Sequence, residues 1–240
     1  MGNSFWETPF VLSPPPAPVE RHDQVDLHLP SGDGPHPAVV LVHGAPFPPA
    51  APDPREWLLY RGYGALLAEQ GVVAAVPSLP VHMPAGPPEA AALVAAVDLV
   101  RADKRVDPER LALWFFSGSG LLLGDWLREP PPWLRGLAAT YPLLAPLPGW
   151  AVEPRYRPLD ALAEADAPPP LVLTRAGQER PDVAATIEAF LAEAARRGTP
   201  VRVLDVPDGR HGFDALDHTD QSRTAVRAAR DEILRLLTAP

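Results

Sequence analysis

RLALWFFSGSG, residues 110–120, decides how this chain is read. An apolar run of strand length, Leu111 to Phe116, stops abruptly at Ser117-Gly118-Ser119-Gly120, and Leu121 to Leu127 continues as an amphipathic to buried helix. Strand, small-residue turn and helix, with a serine at the apex, are the layout of a nucleophile elbow. Such a turn holds the serine in a strained backbone conformation and lifts its hydroxyl above the sheet edge. Small residues are needed beside it because two backbones pass close together. A plainer reading also fits: both serines could simply cap the helix that follows.

The rest of the chain alternates in the same way. Upstream, PAVVLVHG (37–44) is a continuous apolar strand of the kind buried on both faces of a parallel sheet. It enters the loop Ala45-Pro46-Phe47-Pro48-Pro49. A helix over 57–70 closes at Gly71 in the usual place just past a helix end, a strand follows over 72–76, and Leu93, Val97 and Val100 mark a helix over 89–101. Downstream, strands are expected at 136–141, 170–174 and 201–206, with helices over 182–197 and 222–237. The Pro-rich connection 142–169, with Trp150 and Tyr156, is expected to form a short lid or rim.

Residues 1–20 read as an irregular Pro-rich arm, and Val25, Leu27 and Leu29 as an edge strand with one wet face. The alternation predicts a single α/β domain over 21–240, a mostly parallel sheet with helices on both faces.

Composition bounds the function. A formal net charge of −9 argues against nucleic acid or an anionic membrane surface as partner, and 46% hydrophobic residues is ordinary for a globular chain. There is no cysteine, which removes disulfides, thiolate metal sites and a cysteine nucleophile, and is compatible with a cytoplasmic location. No signal peptide and no run long enough to span a membrane are evident. The 34 prolines cluster in loops and stiffen connections.

In open α/β sheets, functional residues gather in loops at the carboxyl ends of strands. Three such loops hold Ser117, Glu179 and His211, in the order serine, acid, histidine. A serine hydroxyl is a poor nucleophile at neutral pH, so an imidazole must take its proton. A carboxylate then fixes the imidazole tautomer and stabilises the imidazolium. An oxyanion hole of backbone N–H groups completes the set, one from Gly118 and one from the loop after His43-Gly44. Pro46, Pro48 and Pro49 have no N–H, which leaves Ala45, with Phe47 second. Phe47, Phe116, Trp150 and Phe213 are candidates for the substrate pocket. No cofactor and no metal are implied; the grouping of His211, Asp214 and His218 has no spacing that demands a metal. His43 reads as a structural hydrogen-bonder, and His82 and His218 as surface loop residues.

With those residues in place, the span 37–237 resembles the α/β-hydrolase superfamily, in particular its dienelactone-hydrolase-like branch. The resemblance rests on His43-Gly44, on Val106-Asp107-Pro108-Glu109-Arg110 before the elbow strand, on Gly177 ahead of the acid, and on Gly209-Arg210-His211-Gly212-Phe213. It implies an α/β-hydrolase fold and a cofactor-free hydrolase of carboxylic esters, lactones or thioesters. Dienelactone hydrolases proper use cysteine; with none here, the serine esterases are the nearer model.

The chain also departs from that pattern. The family elbow is Gly-x-Ser-x-Gly, whereas here Phe115 and Ser119 flank Ser117 at the outer places. Ser119 is the alternative nucleophile. Glutamate replaces the usual aspartate, and Asp182 is the alternative acid, although it also suits the first turn of a helix. Two other functions stay open: a non-catalytic relative that binds a small ligand, and an acyltransferase or cyclase on the same triad.

Overall fold

A computed structural model describes residues 4–80, 83–84 and 86–239; His82 lies outside the described residues. Eight strands form one sheet: β1 (Val19–His22), β2 (Val25–His28), β3 (His36–Val42), β4 (Val73–Pro77), β5 (Val106–Phe116), β6 (Leu134–Thr140), β7 (Leu171–Gln178) and β8 (Val201–Arg210). Their spatial order is β1-β2-β4-β3-β5-β6-β7-β8. The first two strands pair antiparallel, as do β2 and β4, and every later pair is parallel.

Alternation along β5 shows why the sheet carries two layers. Leu111, Leu113 and Phe115 point to one apolar core, shared with α2 (Pro87–Ala102), α3 (Leu123–Arg128), α4 (Pro158–Glu164) and α5 (Pro181–Arg197). Ala112, Trp114 and Phe116 point to the other, shared with α1 (Leu58–Ala68) and α7 (Asp220–Thr238). Burial on both faces is what makes these strands read as unbroken apolar runs. A short helix, α6 (Phe213–Leu216), follows β8. No helix among the described residues is long and apolar enough to cross a membrane.

Four sequence expectations need correction. The strand at Val25 is not the edge: β1 pairs outside it through a two-residue hairpin turn, with Asp23 in the left-handed region (φ 48°). Its polar residues are not wet either. Asp26 is buried under the Arg21 guanidinium (2.7 and 2.8 Å), and the His28 ring lies under α1, where Gly64 leaves room for it.

The elbow serine opens a 3-10 turn, Ser117–Leu122, and only then does α3 begin. β7 and β8 run four residues further than their apolar stretches, through a register shift between Ala176 and Gln178. Gly177 permits that shift: a side chain there would put its first carbon 2.1 Å from the Pro207 carbonyl oxygen. Finally, segment 142–169 packs into the core beside α3 through Leu143, Leu144, Tyr156, Ala161 and Leu162.

Candidate active site

Ser117 follows β5 at φ 54°, a left-handed conformation that a non-glycine residue holds only at a cost of roughly 1–3 kcal/mol. Its surroundings hold it there. The Ser117 carbonyl accepts from the Leu143 N–H (2.9 Å). The Ser119 hydroxyl, 4% exposed, accepts from the Phe116 N–H (3.0 Å) and lies within donating distance of the Val42 carbonyl (2.9 Å) and the Phe116 carbonyl (2.8 Å). Ser119 thus ties the ends of β3 and β5 together, and its oxygen is occupied in doing so.

The same contacts account for the altered elbow motif. The close approaches fall at Gly118, where a first side-chain carbon would sit 2.3 Å from the Ala45 carbonyl oxygen, and at Gly120, 2.5 Å from that of Leu143. Phe115 meets no such crossing; its ring is buried in the core on the α2–α5 side.

Glu179 and His211 come from adjacent strands. Gln178 is paired with Arg210 at the end of the β7–β8 ladder, so the next residue of each strand emerges side by side. His211 Nε2 is 2.7 Å from Ser117 Oγ, and His211 Nδ1 is 2.5 Å from Glu179 Oε2. The other Glu179 oxygen accepts from the Arg180 N–H (2.8 Å). The Glu179 side chain is 1% exposed, against 38% for His211. Asp182, the alternative acid, instead pairs with Arg180 on the surface and accepts from the Val183 N–H in the first turn of α5. Its carboxyl is held below the usual range by that guanidinium.

Across the cleft, His43 fixes the loop after β3. Its Nε2 accepts from the Leu79 N–H (3.1 Å), so Nδ1 carries the proton and donates to the Gly44 carbonyl (3.0 Å). Full burial pushes its pKa down and keeps it neutral. The Gly44 N–H donates to the Tyr60 hydroxyl (2.7 Å). Neither the Ala45 nor the Gly118 N–H has an acceptor among the described residues.

Behind His211 lies a second buried carboxylate that the sequence reading did not single out as part of the site. Asp214 is 0% exposed and accepts from Tyr63 Oη (2.8 Å) and Tyr141 Oη (2.8 and 3.0 Å). Burial raises its pKa to about 6 against the lowering effect of those donors. Tyr141, itself left-handed at φ 38°, packs its ring 4.6 Å from the His211 ring. The only sequence signal was an acidic residue beside the histidine motif; Tyr63 lies 151 residues away. His218 bonds the Pro9 carbonyl (3.1 Å), so the imagined grouping with His211 and Asp214 is engaged elsewhere.

A cavity of about 270 Å³ opens on Ser117 and His211. The loop after β3 supplies residues 44–48, the start of α1 supplies Trp57 just before it and Tyr60 within it, and the N-terminal arm supplies Phe5 and Trp6. Phe47 and Phe116 line it as expected from the sequence. Trp150 and Phe213 do not: Trp150 packs against the core of the α2–α5 layer, and Phe213 is completely buried beneath Tyr141. No described residue of 142–169 lines the cavity. Tyr156 instead borders a separate cleft of about 490 Å³ between α2 and α3. The arm and the loop after β3 form the rim instead.

No family model matches the sequence, and neither does any curated protein sequence. Solved structures do match. An esterase from the Planctomycetes species Thermogutta terrifontis, with propionate bound, is 18% identical, with 94% of this chain and 97% of that one covered and a TM-score of 0.72. Thermogutta terrifontis esterase 2 phosphorylated by paraoxon gives 18%, 95%, 97% and 0.71. The acetyl ester-xyloside bifunctional hydrolase from Caldicellulosiruptor lactoaceticus gives 16%, 88%, 88% and 0.67. The chain has the α/β-hydrolase fold.

Proposed function

We propose that the protein is a serine hydrolase that cleaves a small carboxylic ester, lactone or thioester through an acyl-enzyme. The observation that carries this reading is the unbroken chain Ser117 Oγ, His211, Glu179, with contacts of 2.7 and 2.5 Å, built on a serine held at φ 54°. The names of the similar structures, which are esterases and a bifunctional acetyl ester hydrolase, support it. The finer assignment to the dienelactone-hydrolase-like branch rests on the motifs around His43 and His211 and is part of the same proposal.

In this mechanism Ser117 Oγ attacks the carbonyl carbon while its proton passes to His211 Nε2. The carbonyl oxygen becomes an oxyanion, met by the free N–H groups of Ala45 and Gly118. As the tetrahedral intermediate collapses, the bond to the leaving oxygen or sulfur breaks and that atom takes the proton from His211. Water then attacks the acyl-enzyme carbonyl, giving its proton to His211, and the acid departs with Ser117 reprotonated. Glu179 holds Nδ1–H throughout, so that Nε2 faces the serine and the imidazolium is stabilised.

The non-catalytic alternative was motivated by the altered elbow, and that motive weakens once Phe115 and Ser119 are accommodated as described. Labelling with a fluorophosphonate probe, followed by mass spectrometry to locate the adduct, tests the reading. The expected outcome is one adduct, on Ser117, lost in Ser117→Ala. An adduct on Ser119, or none on the folded protein, overturns it.

A further inference from the structure

Resting on that hydrolase reading, we infer that the N-terminal arm is part of the substrate site. Phe5 and Trp6, together with Phe47 and Trp57, form an aromatic slot beside Ser117 for an uncharged, ring-sized group of the ester.

The slot is built around Trp57. Its indole N–H donates to the Pro52 carbonyl (2.9 Å), which fixes the ring. Phe5 meets it edge-on at 5.8 Å, Phe47 edge-on at 4.9 Å, and Trp6 at 6.1 Å with a 42° tilt. Trp57, 4% exposed, is the buried floor of this cluster, and the half-buried Phe5, Trp6 and Phe47 rings packed on it turn their remaining faces and edges to the cavity, the surfaces against which an aromatic guest packs. Phe5 also reaches over Gly212, whose missing side chain would start 3.0 Å from its ring, and so comes within one residue of His211.

The arm is fixed in this position. The Val11 N–H donates to the Asp214 carbonyl (2.9 Å), Arg223 Nε to the Val11 carbonyl (3.2 Å), and the Phe10 ring packs 4.6 Å from Tyr63. Gly62 is required for that docking, since a side chain there would start 2.4 Å from the Phe10 ring. Beyond this anchor, a one-turn 3-10 helix, Phe5–Glu7, is closed by the Ser4 N–H on the Glu7 carboxylate (3.3 Å). Anchored at Phe10 and stiffened at Ser4, the turn holds Phe5 and Trp6 over the cavity.

Charge narrows the guest further. Among the described residues, no Asp, Glu, Lys or Arg lines the cavity. A charged group entering it would lose its hydration without finding a partner, whereas a neutral ring of benzene size fits a volume of about 270 Å³.

The experiment compares kcat/KM for benzyl acetate, ethyl acetate and 4-carboxybenzyl acetate, with active sites counted by a small fluorophosphonate. Wild type, Phe5→Ala, Trp6→Ala and Trp6→Phe are used; intrinsic reactivity cancels in each variant-to-wild-type ratio. Trp6→Ala and Phe5→Ala are each expected to lose about tenfold on benzyl acetate, mainly through KM, with Trp6→Phe recovering most of it. Ethyl acetate should change by less than about threefold, and 4-carboxybenzyl acetate should be about 100-fold poorer than benzyl acetate in wild type. Equal losses on the benzyl and ethyl esters, or no loss on either, overturn the slot while leaving the hydrolase reading intact. Failure of the wild-type protein to label or to hydrolyse any ester overturns the hydrolase reading itself, and the slot with it.

Discussion

Glu179 and Asp214 are both buried carboxylates beside the same histidine, yet they are held by different donors. Glu179 gives one oxygen to the His211 ring nitrogen and the other to the Arg180 N–H. Asp214 gives both to tyrosine hydroxyls, and one of these residues, Tyr141, packs its ring on His211. Proximity to the imidazole is therefore a poor guide to role; the donor that each oxygen meets is the better one. In the proposed mechanism Glu179 orients the base, and Asp214 holds the wall on which the base rests.

Exchanging each acid for its amide separates the two most sharply. Glu179→Gln should lower kcat by roughly 10³–10⁴-fold, because a neutral amide neither enforces the Nδ1–H tautomer nor stabilises the imidazolium. Asp214→Asn, assayed at pH 8, should change kcat by less than about tenfold. Steady-state kinetics with a common ester decides the matter, and the reverse order would exchange the two roles.

Stability against pH is the second test. With the Asp214 carboxyl raised from 3.8 to about 6, the folded state keeps a proton that the unfolded chain releases between those values. The contribution of Asp214 is thus most favourable below pH 4, declines through pH 4–6 and is flat above, a loss of about 3 kcal/mol. His28, pushed down to about 4 by burial, acts in the opposite direction. Its contribution is full above pH 6.5 and is lost as the pH falls toward 4. The wild-type profile mixes the two, so the difference between wild type and Asp214→Asn in urea unfolding isolates the aspartate. A difference that does not vary between pH 4 and 7 would refute the assignment.

Removing one donor sharpens the same point on a smaller scale. Tyr63→Phe should destabilise the fold by about 2 kcal/mol at pH 8, where Asp214 is ionised, and by less at pH 4, where it is protonated. The smallest effect concerns the other serine: Ser119→Ala should cost about 1 kcal/mol in thermal unfolding while leaving fluorophosphonate labelling of Ser117 in place.

The legibility of this molecule followed the range of its interactions. Strands buried on both faces announce themselves as apolar runs, so β3 to β7 were readable, as were β8 from the stretch 201–206, the helices α1, α2, α3, α5 and α7, and the break from strand to small-residue turn at Ser117; α4, inside the Pro-rich segment 142–169, was not. β1, with the sequence VERH, has no apolar pattern and exists because β2 offers it a partner. β7 and β8 were read too short because Gly177 and Pro207 look like breakers, while in three dimensions they pass each other in a local irregularity. Trp150 and Phe213 were assigned to the pocket on residue type alone, and their burial elsewhere depends on packing partners that no local pattern encodes. Phe5, Trp6 and the Asp214 cluster meet partners tens to hundreds of residues away, beyond the reach of any periodicity.

β8 is one of the two outermost strands of the sheet, paired on one side only. His211 follows its last residue, while Glu179 follows β7. Outer strands open at lower free energy than the centre of a sheet. Fraying of this edge would draw His211, the base of the proposed mechanism, away from Glu179 while the rest of the sheet stayed whole. On heating, ester turnover should therefore fade before the circular dichroism signal of the fold does. Amide hydrogen exchange at 208–210 should quicken at the temperature where turnover is lost, which would make the proposed catalysis a sensor of the sheet margin.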